Sequence, residues 1–394
     1  MKTKNNLMAA LAAGLFMTCV TFTSCTNDIG DNPVYNDEPN GGMIVGEIVV
    51  TNGMLILNNG SSYEGIDGSL IYVDFNQNPY DVKQGVYKNV NGESLGGTPN
   101  DVLAYGKKIY IAGSDEHAVF VLDARNYKLI KKISTTGEMG DAEGINPRHL
   151  LAYGDKVYVS TYGGYVGVID TLSLSIYNQY KVGPYPEGMA ISETAAGVSL
   201  YVANSDYGMG NGSISKINLT SGSISEFTND KIHYPQQLAV VGDDIYVLDW
   251  GYYDDTWIQH DAGVYLINGS SVRKIIPDAT GMAVAGYSII TYNCPYGSTS
   301  LSYSIYNIAY GHLDSFHLTG DDINPIYNPC AISMDPNTGY VYIASRQKDS
   351  DTNYPSYSTP GYVNAYSGNG HFISSFSTGI EPCASAFIYG ISKL

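Results

Sequence analysis

The chain repeats itself seven times, and this constrains its fold more than any other feature. Short apolar strands recur as LIL (55–57), IYI (109–111), VYV (157–159), LYV (200–202), IYV (245–247), IIT (289–291) and VYI (341–343). Their first residues stand 43 to 54 positions apart. A period of about 40–50 residues with several strands per period is the pattern of a β-propeller. No stretch carries the periodicity of a long helix.

Each unit has the same parts. An inner strand precedes the anchor and usually opens on Pro: PNDVLAYG (99–106), PRHLLAYG (147–154), PEGMAISE (186–193), PQQLAVVG (235–242) and PCAISMDP (329–336), with ATGMAVAG (279–286) as the variant. After the anchor come a variable loop, a third strand such as AVFVLD (118–123) or GVYLIN (263–268), and a last strand such as LIKKIS (129–134). The anchor at Leu55 has no such strand before it, while PCASAFIY (382–389) is left over at the other end. The expectation is therefore all-β: a seven-bladed β-propeller of four-stranded blades over 44–394, with 382–389 as the innermost strand of the first blade. That exchange removes an open sheet edge.

Strands that run up and down from axis to rim sort the loops. Loops entering inner strands and loops leaving anchors share one face, and the short GKK, GDK and GDD turns take the other. The loops leaving the anchors hold the aromatics, including YGGY (162–165), NSDYGMGN (204–211), WGYYDDTW (250–257) and RQKDSDTNYPSYSTPG (346–361). Loops need no aromatics to fold, and Tyr and Trp give broad, stiff contact area with a polar tip. The repeated anchor tyrosines read instead as sheet packing. The candidate ligand-binding residues are Trp250, Tyr252, Tyr253, Trp257, Tyr162, Tyr165, Tyr207, Tyr296, Tyr354 and Tyr357, with Arg148 and Gln236 at the channel mouth. Trp257, beside the acids and farthest from the strand, is expected to be the strongest anchor.

The N-terminus reads as a lipoprotein signal peptide over 1–24. Lys2 and Lys4 precede an apolar core from Leu7 to Val20 that is too short for a stop-transfer helix. Phe22-Thr23-Ser24-Cys25 then resembles a lipobox, with Phe22 in place of the usual Leu or Val. Cys25 is the expected lipidation site. Residues 25–43 read as an acidic tether, roughly 25 Å of coil. The formal charge is −18; residues 1–24 carry two lysines and no acid, so the mature chain carries −20. That argues against nucleic acid or anionic lipid as a partner.

Nothing in the sequence compels an enzyme. There is no GxSxG, CxxC or phosphate loop, and the seven histidines show no ligand spacing. Glu187, Asn204, Asp249 and Asn293 could be drawn into a calcium cage, but they come from consecutive blades without a local motif. No metal and no cofactor are expected. Cys294–Cys330 and Cys330–Cys383 bridges are both conceivable. The Asn-X-Ser/Thr triplets at 211, 218 and 268 read as turns.

The repeat PxxLAxxGxxIYVxxxxxxxVxVID resembles the YVTN and surface-layer class of seven-bladed propellers, which specifies fold rather than function. Lipobox, early acids, short tether and tyrosine-rich propeller face together are similar to the surface-exposed vitamin B12-capture lipoproteins of gut Bacteroides. That resemblance implies lipid anchoring in the outer membrane facing the exterior. It also implies capture of cobalamin or related corrinoids, and delivery to a TonB-dependent cobalamin transporter. On that view Tyr and Trp cover the corrin rim, polar side chains pair the amide arms, and Arg148, Arg346 or Lys348 meets the phosphate. A surface glycan-binding lipoprotein, or a calcium-dependent lactonase-like enzyme, would use the same face differently.

Overall fold

The computed structural model describes residues 47–295, 300–352 and 354–393. The expected signal peptide over 1–24, the expected tether over 25–43 with Cys25, and Tyr296 lie outside the described residues. Seven four-stranded antiparallel sheets form the blades of a β-propeller. They are numbered here by their second strands: Glu47–Asn58, Lys108–Gly113, Lys156–Thr161, Gly197–Asn204, Asp244–Asp249, Ser288–Asn293 and Val341–Arg346. The anchors lie in these strands. The third strands of blades 2 to 5, Ala118–Asp123, Tyr165–Asp170, Ser213–Asn218 and Gly263–Asn268, have the bounds expected from sequence.

Anchors are apolar at almost every position, with buried Thr291 the exception, because both faces of each sheet are covered. In blade 1, Leu55 and Leu57 pack with Val102, Ile109 and Ile111 of blade 2. Met54 and Ile56, one step out of phase, pack with Tyr342, Val363 and Phe376 of blade 7. Period-two alternation thus feeds two inter-blade cores from one strand. Tyr110, Tyr158, Tyr246 and Tyr342 are buried in such cores, as sheet packing requires.

The ring closes as the sequence predicts. Met54 pairs with Phe387, Leu55 with Ala386 and Leu57 with Ala384, between Glu47–Asn58 and Pro382–Lys393. Both strands run to twelve residues, longer than the repeat suggested. At the lower end Asp335, buried in a turn of blade 7, accepts from Thr51 Oγ1 at 2.7 Å and Tyr389 OH at 3.2 Å. It also accepts from Thr338 Oγ1 at 2.6 Å and the Asn337 N–H at 3.0 Å. One carboxylate thereby ties blade 7 to both closing strands.

The inner-strand prolines stand opposite the last residues of the second strands: Pro147 faces Thr161 and Pro235 faces Asp249. Loops into inner strands and loops out of anchors therefore share the upper face. Proline is tolerated there as a first strand residue that donates no ladder bond. In six blades the register slips directly after the proline, passing over Asn100, Arg148 and His149, Glu187 and Gly188, Gln236, Cys330 and Cys383. Blade 6, with Gly281 in that place, keeps an unbroken register. A bulge re-aims side chains, and here it supplies the ring at the channel mouth.

Candidate ligand-binding face

Two adjoining cavities open on the upper face. The larger, of about 730 Å³, lies between the loops of blades 5 and 7. Its walls are Trp250, Tyr253, Tyr292, Tyr327, Tyr354 and Tyr357, with Arg346 and Asn328 among the polar residues. The smaller, of about 290 Å³, follows the axis past Asn100, Arg148, His149, Gln236 and Cys383. Trp250, Tyr292, Cys330 and Arg346 border both, so the two form one space with an aromatic side and a polar side.

The polar side is built from one device used twice. Arg148 Nε donates to Glu187 Oε2 at 2.9 Å, its terminal nitrogen donates to Asn100 Oδ1 at 2.7 Å, and the guanidinium lies 4.7 Å from the Tyr162 ring centre. Arg346 Nε donates to Glu381 Oε2 at 2.7 Å, its terminal nitrogens donate to Asn328 Oδ1 at 2.7 Å and to Glu381 Oε1, and Tyr357 lies 5.0 Å away. The first spans blades 2 to 4 and the second joins blade 7 to blade 1. Burial opposes the charge on Arg148, but Glu187 and neighbouring tyrosines outweigh it and hold its pKa above the ordinary value. Burial likewise opposes the Glu187 carboxylate, yet Arg148 and His149 hold it ionised and its pKa low. A planar fork suits such a paired, stacked site where a lysine would not.

The aromatic side rests on two acids that the sequence presents merely as a charged run. Buried Asp249 ends the second strand of blade 5 and accepts the N–H groups of His233 at 3.0 Å, Tyr234 at 3.1 Å and Gly251 at 2.7 Å. Desolvation nevertheless pushes its pKa up to about 6, against the pull of those three donors. Gly251 has φ +66°, and a Cβ there would collide with the His260 carbonyl. The loop continues as a two-stranded hairpin, Tyr252–Tyr253 against Gln259–His260. Asp254 folds its tip, accepting from Thr256 N at 2.8 Å, Thr256 Oγ1 at 2.7 Å and Ile258 N at 3.0 Å, and meeting His260 Nε2 at 2.8 Å. The His260 and Thr256 bonds hold the Asp254 carboxyl below its usual range.

The structure divides the sequence-derived residues into groups. Trp250, Tyr253, Tyr354 and Tyr357 come together around the larger cavity, and Trp250, Arg148 and Gln236 around the smaller. Trp250 is a fixed wall rather than a projecting tooth: its indole N–H donates to Thr280 O at 2.9 Å and its ring meets Tyr234 edge-on at 5.5 Å. Tyr162 and Tyr207 form a separate cluster with Tyr185, with ring centres 5.1 to 6.0 Å apart. Tyr252 stacks on His260 at 5.3 Å, away from Tyr253. Trp257, expected to be the strongest anchor, is 74% exposed at the hairpin tip and lines neither cavity; its nearest ring is Tyr253, at 6.5 Å. Tyr165 opens the third strand of blade 3, paired with Thr161, and lines neither cavity.

Several residues of the face were missed. Tyr185, Tyr234 and Tyr327 lie in loops entering inner strands, just ahead of Pro186, Pro235 and Pro329. That recurring tyrosine before the proline was a readable signal. Tyr185 and Glu381, each directly before its proline, sit in the left-handed region at φ 49° and 59°. Gln259 donates to Trp250 O at 2.8 Å from the hairpin.

Three of the four residues of the conceivable calcium cage have other partners. Glu187 is held by Arg148, Asn204 Nδ2 donates to Ser213 and Ser215, and Asp249 caps backbone. Among the described residues, no three His, Cys, Asp or Glu side chains group to hold a metal. Neither cysteine bridge is present: Cys294, Cys330 and Cys383 are free thiols. Burial pushes the Cys330 pKa up to about 12, and its thiol donates to Pro382 O at 3.1 Å.

No family model matches the chain, and no curated protein does. Among solved structures it is similar to the hydrazine synthase of Kuenenia stuttgartiensis, with a TM-score of 0.53 and 19% identity over 71% of this chain and 85% of that one. The WD40 repeats of RRP9 follow with a TM-score of 0.48 and 10% identity over 70% and 78% of the respective chains. The first likeness concerns the fold alone.

Proposed function

We propose that this protein is a surface lipoprotein that captures cobalamin or a related corrinoid on the upper face of its propeller. It passes the ligand to a TonB-dependent outer-membrane transporter, and it binds rather than catalyses. The observation that carries this reading is the paired cavity, which sets five tyrosines and Trp250 against a polar floor whose arginines are already matched by glutamates. A corrinoid has the complementary form, with an apolar rim, many amide arms and little net charge. Aromatic walls cover the rim, and Asn, Gln and Tyr groups pair the amides. Walls fixed before binding lose little entropy when the ligand arrives.

In this reading Cys25 carries the lipid and 25–43 is the tether that holds the propeller off the membrane. A glycan-binding role is the second reading, favoured by the Tyr185–Tyr207 pair, whose exposed rings offer a stacking surface apart from the cavities. The test is gel filtration of the protein mixed with cyanocobalamin. The pink chromophore is expected to elute with the protein, whereas colourless protein fractions would reject the proposal.

A further inference from the structure

Resting on that reading, we propose that Lys348 takes the ligand's phosphodiester at the blade 7 rim of the larger cavity and so fixes which way round the corrinoid lies. Arg346 is the only cation among the described residues lining that cavity, and it is already matched. Glu381 takes its charge through both oxygens, Asn328 accepts another N–H, and Tyr357 covers a face. Arg148 is held the same way by Glu187, Asn100 and Tyr162. An incoming phosphate would have to displace the buried Glu187 carboxylate or the partly buried Glu381 carboxylate, which leaves a charge uncompensated.

Lys348 stands differently. It leaves the same strand two residues after Arg346, is exposed, and has no carboxylate within ion-pair distance among the described residues. Its Nζ lies 5.9 Å from the ring centre of Tyr327, a wall of the cavity. Its backbone bridges to Pro355, between Tyr354 and Tyr357. The neighbouring acid is engaged in its own turn: Asp349 Oδ1 accepts from Asp351 N at 3.0 Å, Thr352 N at 2.8 Å and Thr352 Oγ1 at 2.9 Å. The chain as a whole carries −18, so an anionic group is repelled over most of the molecule. An ammonium without a carboxylate partner at one rim then gives a ligand with a single phosphate one preferred orientation. The strand positions Lys348, and its flexible stem lets the ammonium meet an oxygen without the geometry a guanidinium demands.

The test compares wild type with Lys348→Gln on cyanocobalamin and on dicyanocobinamide, which keeps the corrin ring but lacks the phosphodiester and nucleotide. The variant should weaken cyanocobalamin by about tenfold, the scale of one charge-assisted contact, and change dicyanocobinamide by less than about twofold. Lys348→Arg should restore most of the loss. Equal weakening of both ligands would make the lysine a support for the Tyr327 wall, and no change in either would leave it without a role; each outcome overturns the proposal. If wild type binds neither corrinoid, the proposed function itself falls, a result distinct from wild type binding both and the variant behaving alike.

Discussion

Arg346 and Glu381 form a two-point ion pair across the seam where blade 7 meets blade 1, and Arg148 and Glu187 repeat the chemistry on blades 3 and 4. Side chains in the first pair are less than one-fifth exposed. Removing one partner of such a pair strands the other charge. Glu381→Gln should therefore cost about 3 kcal/mol of stability in urea melts. Double replacement with Arg346→Met should recover part of that loss, because no buried charge remains. A single variant melting like wild type would mean that solvent reaches the pair freely.

Asp335 is expected to matter for closure more than any other side chain on the lower face. Asp335→Ala leaves Thr51, Thr338 and the Tyr389 hydroxyl without their shared acceptor. The expected loss is about 2–4 kcal/mol. Hydrogen exchange should show protection falling first in Glu47–Asn58 and Pro382–Lys393. Uniform loss across all blades would place the weak point elsewhere.

Asp249 gives the protein a pH-dependent term. Its pKa is raised from 3.8 to about 6, so between those values the folded chain holds a proton that the unfolded chain releases. Its contribution is fully present below about pH 4 and is lost as pH rises through about 6, a change of about 3 kcal/mol. Asp249→Asn should remove this slope while other carboxylates keep theirs. Melting curves of the two proteins that run parallel between pH 4 and 7 would contradict the assignment.

The ring was legible because burial on both sheet faces leaves a continuous apolar anchor, and because Pro marks each inner strand. Closure followed from one missing strand and one spare. The face was legible only as composition. DWGYYDDTW announced aromatic surface, but nothing in those letters says that Asp249 and Asp254 fold the loop. A two-stranded hairpin then sends Tyr252 to His260 and Tyr253 to the cavity. Distance from the strand and the neighbouring acids gave Trp257 its expected rank, whereas its place in the structure depends on hairpin geometry. The Arg346–Glu381 pair was hidden because its members stand 35 positions apart and meet only once the ring closes.

The cavity separates the aromatics by effect. Tyr253→Ala and Tyr357→Ala should each cost about 2 kcal/mol or more of corrinoid affinity, with stability within about 0.5 kcal/mol of wild type. Trp250→Ala should lose both, because its indole is also a structural wall bonded to Thr280. Tyr252→Ala, which unstacks His260 outside the cavity, should bind as wild type. A reversed order, with Tyr252 essential and Tyr253 silent, would move the site to the other side of the hairpin.

The central claim is corrinoid capture, and a calorimetric titration of the purified protein with cyanocobalamin tests it most directly. The account predicts one ligand per chain with a dissociation constant of about 1 µM or tighter, corresponding to about 8 kcal/mol. The heat-capacity change should be negative as Tyr and Trp surface is buried. A titration without heat at several temperatures, from protein whose melting curve shows it folded, would contradict the account.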